Sequence, residues 1–149
     1  MSTVFATTQA ALLAALQASP ALAGGNISVN RTRPIPDDQT QAIVLRLDQA
    51  EGEEVGLGSA MFDWKTAYTV ECYARAPAGT DPSAAVDTLL ADTWARLTTP
   101  NSATLGADIT LQPQIDWQYD DTTATPMVCA VLRLTARHHR TQQNSLNPQ

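Results

Sequence analysis

Two stretches and the order of the rest predict an α+β fold, a mainly antiparallel sheet with two helices packed on one face. Along residues 64–75 Trp64, Tyr68, Val70, Cys72 and Ala74 share one phase, while Lys65, Glu71 and Arg75 alternate with them beside Ala67, Thr69 and Tyr73. A period of two marks a strand with one buried face. Val86, Leu89, Leu90, Thr93, Trp94 and Leu97 then recur at three and four residues, the stripe of an amphipathic helix. The remaining elements come as runs of strands, without the regular strand–helix alternation of a parallel sheet. No internal repeat is visible.

Taken in order, residues 3–19 form the first helix. Phe5, Gln9, Leu12, Leu13 and Leu16 lie at helical spacing in a fill of Ala and Gln, and Pro20 and Gly24-Gly25 end it. Residues 26–33 follow as a strand, the Pro34–Asp38 segment as a rigid turn, and 42–48 as a second strand; these two are expected to pair as an antiparallel hairpin. Residues 49–63 read as a mobile arm. Glu51, Glu53 and Glu54 surround Gly52, two further glycines follow at 56 and 58, and Met61-Phe62 close the stretch.

After the 64–75 strand, the turn 76–80 breaks the chain. Asp81 then offers an N-cap carboxylate and Pro82 a pre-set first helical φ. Residues 98–107 are a polar connection. Residues 109–111 and 115–119 are strand pieces interrupted at Pro113, which suits a sheet edge. Asp120–Thr123 is a turn, and 127–137 is the last strand, with Val128, Ala130, Leu132, Leu134 and Ala136 inward. The expected organisation is one domain over 1–137 with a flexible tail at 138–149.

The totals bound the function. With 149 residues, 44% of them hydrophobic, the chain can bury a core without metal or disulfide staples. Charged residues make up 16%, below the usual quarter or so, as expected where neighbours cover part of the surface. A net charge of −6 argues against binding to a phosphate backbone, where Lys and Arg dominate affinity. The two cysteines, Cys72 and Cys129, fall in opposite strand phases and cannot bridge, so buried free thiols are expected. No basic segment leads into an apolar run at the start, and nothing approaches the roughly 18 apolar residues of a span. A cytoplasmic product is therefore expected.

Candidate chemistry is sparse. His138-His139, between Arg137 and Arg140, would point to opposite faces of a strand and cannot chelate one ion, so a solvated basic strand end is expected. Asp116, Asp120 and Asp121 lack calcium-loop spacing. There is no nucleophile elbow, phosphate loop or zinc-type cysteine spacing. Gly56-Leu57-Gly58 follows acids that would repel a phosphate. Neither an enzyme nor a cofactor or metal is expected.

The ensemble resembles the tail terminator, or tail completion, proteins of long-tailed bacteriophages. The resemblance is carried by the helix Gln9-Ala10-Ala11-Leu12-Leu13-Ala14-Ala15-Leu16 and by Asp63-Trp64 with Tyr68-Thr69-Val70-Glu71-Cys72-Tyr73-Ala74-Arg75. It continues through Asp87-Thr88-Leu89-Leu90 and Val131-Leu132-Arg133-Leu134-Thr135-Ala136-Arg137. It spans nearly the whole chain as an order of elements. It implies a structural virion protein at the head-proximal end of the tail, assembled in the host cytoplasm as a ring, typically six-fold. Its partners would be copies of itself, the tail tube protein and the head connector or stopper, with no membrane and no sequence-specific nucleic acid. The family brings no catalytic residues. The expected partner surface is the arm, through Glu51, Glu53, Glu54, Leu57, Met61 and Phe62. Six copies would gather its acids, so ring formation is expected to rise with Mg²⁺ or ionic strength. Alternatives are another neck or tail component (stopper, adaptor or tube protein) and a monomeric ligand-binding domain.

Overall fold

The computed structural model describes residues 2–56, 58, 60–98, 108–121 and 125–148. The elements are α1 (Val4–Gln17), β1 (Ile27–Val29), β2 (Gln41–Glu54), β3 (Met61–Arg75), α2 (Pro82–Thr98), β4 (Asp108–Asp120) and β5 (Met127–Gln142). The strands form one sheet in the order β1-β2-β3-β5-β4, antiparallel throughout except for the parallel pair β1–β2. Both helices pack on one face, so the fold is α+β as the alternation and the stripe predict. The core between helices and sheet joins Leu12 and Leu16 of α1 and Val86 and Leu89 of α2 to Ile43, Tyr68, Val70 and Leu132.

Local chemistry places the helices. Thr3 caps α1, its Oγ1 accepting from the Ala6 N–H at 3.2 Å. Asp81 caps α2 by accepting from the Ser83 N–H at 3.0 Å, with Pro82 as the first helical residue. The buried stripe of α1 is Val4, Thr8, Leu12 and Leu16, rotated from the expected one so that Phe5, Gln9 and Leu13 are half-buried. In α2 the expected stripe is buried, with Trp94 half-buried at its margin. The Arg96 guanidinium of α2 donates to the carbonyls of Leu16 (3.1 Å), Ala18 (2.6 Å) and Pro20 (2.6 Å), closing the open C-terminal end of α1.

Three expectations need correction. First, β1 and β2 are parallel, pairing Ile27 with Ile43 and Val29 with Leu45. Residues 30–40 carry the chain back along the sheet before β2 starts, as a parallel pair requires. That connection folds over the helix-free face, where Ile35 packs with Ala42 and Val44 and Arg75 donates to the Ile35 and Gln39 carbonyls.

Second, residues 49–54 of the expected arm are regular strand, and Met61 already belongs to β3. Asp48 is an extra residue on β2 between the pairs Leu47–Tyr68 and Gln49–Ala67. A one-residue bulge reverses the facing of everything beyond it. Ala50, Gly52 and Glu54 therefore turn toward the helix side and Glu51 and Glu53 away, which breaks the alternation in the sequence without breaking the strand.

Third, β5 continues to Gln142, five residues past the expected domain end. Arg137 and His138 together oppose Lys65, and His138 adopts φ 62° at this second bulge. The phase flips again, burying His139 and Thr141 instead of their neighbours. The expected tail is anchored: the Gln143 N–H donates to the Ala60 carbonyl at 2.7 Å and the Val4 N–H to the Leu146 carbonyl at 2.8 Å. In β4, by contrast, the irregularity between Leu111 and Ile115 holds two extra residues and leaves the phase intact. Pro113 occupies it, on an edge strand where its missing N–H does no harm.

Candidate partner-binding surface

Beyond the two bulges, β2, β3 and β5 form a distal platform with two different sides. On the helix-free side Glu51, Glu53, Asp63, Lys65, Arg137 and His138 line a cleft of about 310 Å³. Glu51 stands opposite Lys65 and accepts from Gln49 at 2.8 Å. Glu53 stands directly opposite Asp63, a like-charge pair that costs stability unless cations lie near. Lys65 and Arg137 supply them in the same cleft, and His138 Nδ1 lies 3.7 Å from Asp63 Oδ2. Asp63 Oδ1 is buried without a hydrogen-bond partner among the described residues. Lys65 and Arg137 share this cleft with the acids, so part of the repulsion expected between copies is offset within each chain.

The helix side of the platform is aromatic. Trp64 lies edge-on to Phe5 of α1 (centroids 5.2 Å apart) and to Phe62 (5.8 Å), and its Nε1 donates to Thr141 Oγ1 at 2.8 Å. His139, 5% exposed, lies beneath α1 with its Nε2 3.3 Å from Thr8 Oγ1. Thr8 gives its own proton to the Val4 carbonyl (3.0 Å), so it accepts from the imidazole. Burial holds the His139 pKa below its ordinary value, against the opposing pull of Asp63.

The expected site residues thus separate. Glu51 and Glu53 meet in the cleft; Glu54 turns to the other side and accepts from Gln143 at 3.0 Å. Met61 and Phe62, expected as free anchors, are half-buried within β3, Phe62 inside the aromatic group. Leu57 lies outside the described residues. His139 was expected at a solvated end and is buried instead. Only the positive φ of its neighbour His138 marks the cause, and no sequence pattern announces it.

Further along the helix-free face, Glu71 accepts from Arg46 and from the Tyr73 hydroxyl (2.7 Å), while Arg46 Nη1 also donates to the Arg31 carbonyl at 2.6 Å. The bond to Glu71 raises the Arg46 pKa, and burial followed by the Glu71 bond raises that of Tyr73. Cys129 approaches Glu71 Oε2 at 4.0 Å; burial first, then that charge, pushes its thiol up to about 12. Cys72 lies in the core on the opposite face, and burial pushes it up to about 11. Both are free thiols, as their opposed strand phases predict. This network ties β2, β3 and β5 together. Among the described residues no group of three or more His, Cys, Asp or Glu side chains could hold a metal ion, and no helix is long and apolar enough to cross a membrane.

No family model matches the chain, and no curated protein matches it. A solved structure of a protein whose name describes no activity is similar at 14% identity and a TM-score of 0.47, over 88% of this chain and 91% of that one.

Proposed function

We propose that the chain is a structural virion protein, the subunit of a tail terminator ring. In this reading a ring, typically of six copies, caps the tail tube of a long-tailed phage, stops its polymerisation and presents a surface to the head connector or stopper. The chain carries out no reaction and needs no cofactor; its work is done by its faces. One observation carries the reading beyond the resemblance: a five-stranded sheet with helices on one face only, β1 and β4 as its open edges, and a charged platform at one end. Heterologous joining of such units gives a ring where the rotation between neighbours closes.

The test is to add the purified chain to polymerising tail tubes and to image products by electron microscopy. Rings on tube ends and tubes that stop growing are expected. Joining of heads without capping would assign the chain to another neck component, a stopper or adaptor. A chain that stays monomeric at high concentration and ignores tubes would overturn the reading. Ring formation that is indifferent to both Mg²⁺ and ionic strength would remove Glu51 and Glu53 from the interface.

A further inference from the structure

The strand register sets rows across the sheet. Ile27, Ile43, Cys72, Ala130 and Trp117 form one row, and Val29, Leu45, Val70, Leu132 and Ile115 another, all facing the helices. The interior of each row is buried, and exposure returns at the ends. Val29 is 39% exposed and Leu47, beside it on β2, 38%; at the opposite edge Trp117 is 45% and Tyr119 61% exposed. Apart from Leu146, these are the exposed large apolar side chains among the described residues. They lie on one face, at its two open edges.

Direction and charge fit the same pairing. Counting across the sheet from the parallel pair β1–β2 through three antiparallel pairs, β4 runs opposite to β1. A β4 edge laid against the β1 edge of another copy is therefore antiparallel, and its helix-side residues stay on the helix side. Residues 108–121 contain Asp108, Asp116, Asp120 and Asp121 and no Lys or Arg, Asp116 being paired with Arg133 of β5, whereas 26–34 contain Arg31 and Arg33 and no acid. Two β4 edges placed together would oppose their own acids; β4 against β1 brings acid to base.

We propose that β4 of one copy adds to β1 of the next, so that Trp117 and Tyr119 cover the neighbour's Val29 and Leu47 and the sheet runs on from subunit to subunit. The proposal rests on the ring reading above and names its seam. β1 spans only Ile27–Val29, so few main-chain bonds form and the aromatic cover supplies much of the hold. Assembly is accordingly concentration-dependent.

Introduced cysteines test the seam, because the native Cys72 and Cys129 are buried. Positions 29 and 117 lie four strand spacings apart in one chain, about 19 Å, too far for a short bis-maleimide. The full-length double variant Val29→Cys/Trp117→Cys is expected to give a ladder of cross-linked multimers, and a mixture of the two single variants a dimer. Each single variant alone is expected to remain uncross-linked. Dimers from Trp117→Cys alone, or rings in the microscope without a ladder, would overturn the seam. Trp117→Arg/Tyr119→Arg, at two exposed positions, is expected to lose rings at concentrations where the wild type forms them, with the melting temperature of the dissociated wild type. Rings that persist in this variant overturn the seam and leave the ring reading standing. A wild-type chain that neither forms rings nor caps tubes overturns both.

Discussion

Trp64 lies over Gly52, its cross-strand partner: a Cβ built on Gly52 would stand 2.9 Å from Trp64 Cζ3 and 3.0 Å from Cε3. The glycine keeps the strand open to the indole, which in turn supports Phe5 of α1. Gly52→Ala forces the ring off its bond to Thr141 and is expected to cost about 1–3 kcal/mol, as overpacking does. Urea unfolding with a lowered midpoint and unchanged slope, together with a shift in tryptophan emission, checks it. Stability equal to wild type would show that the ring moves freely.

Arg96 holds the C-terminal turn of α1 from a distant helix. Arg96→Ala leaves the carbonyls of Ala15, Leu16, Ala18 and Pro20 to water and is expected to destabilise the fold by about 1.5–3 kcal/mol, the range for bonds to a charged donor. Arg96→Lys should recover only part of it, because an ammonium lacks the planar fork that reaches several oxygens. Thermal unfolding of the two variants side by side separates charge from geometry.

His139 makes stability depend on pH. Its folded pKa is depressed below the ordinary 6.5. Between those values the unfolded chain binds the proton more readily, so stability is full above pH 6.5 and falls as the pH drops below it. His139→Gln is expected to flatten the melting temperature between pH 7.5 and 5.5 (about two units across the transition). An unchanged slope in that variant would assign the acid sensitivity to other groups.

The two thiols should stay silent in the folded state. With Cys72 pushed up to about 11 and Cys129 to about 12, a thiol reagent at mildly alkaline pH is expected to label neither until denaturant is added, and then both. Glu71→Gln removes one of the charges that raise Cys129, so its labelling in the native protein should quicken while that of Cys72 does not.

Local pattern made the central strand and the second helix legible. Tyr68, Val70 and Cys72 alternate without interruption, and Val86 to Leu97 keeps a clean stripe closed by a capping Asp. Pro113 marked β4 as an edge for a reason that holds at any edge, its missing donor. What stayed hidden depends on pairing between distant segments. A strand such as Ile27–Val29 carries nothing to say whether its neighbour runs with it or against it. Glu51, Gly52, Glu53 and Glu54 look like a loop because the bulge at Asp48 has shifted their phase, and the partner that explains Gly52 is an indole twelve positions on. Of the expected partner surface, the acids of the platform were readable as charge, but Met61 and Phe62 lie half-buried in β3. The exposure of Trp117 and Tyr119 gave no sign, since aromatic residues on a strand are ordinarily taken for core.

The bulges at Asp48 and His138 make spacing, more than side-chain identity, the quantity on which the outer half of this sheet depends. Deleting Asp48 would restore an uninterrupted zigzag and invert six positions together: Glu51 and Glu53 would be driven beneath the first helix while Gly52 left its indole. Deleting His138 would likewise expel His139 and Thr141 into water. Substitutions at either position leave that frame standing. Removal of either residue is expected to strip the first helix from the sheet, which limited proteolysis near Val4 would reveal.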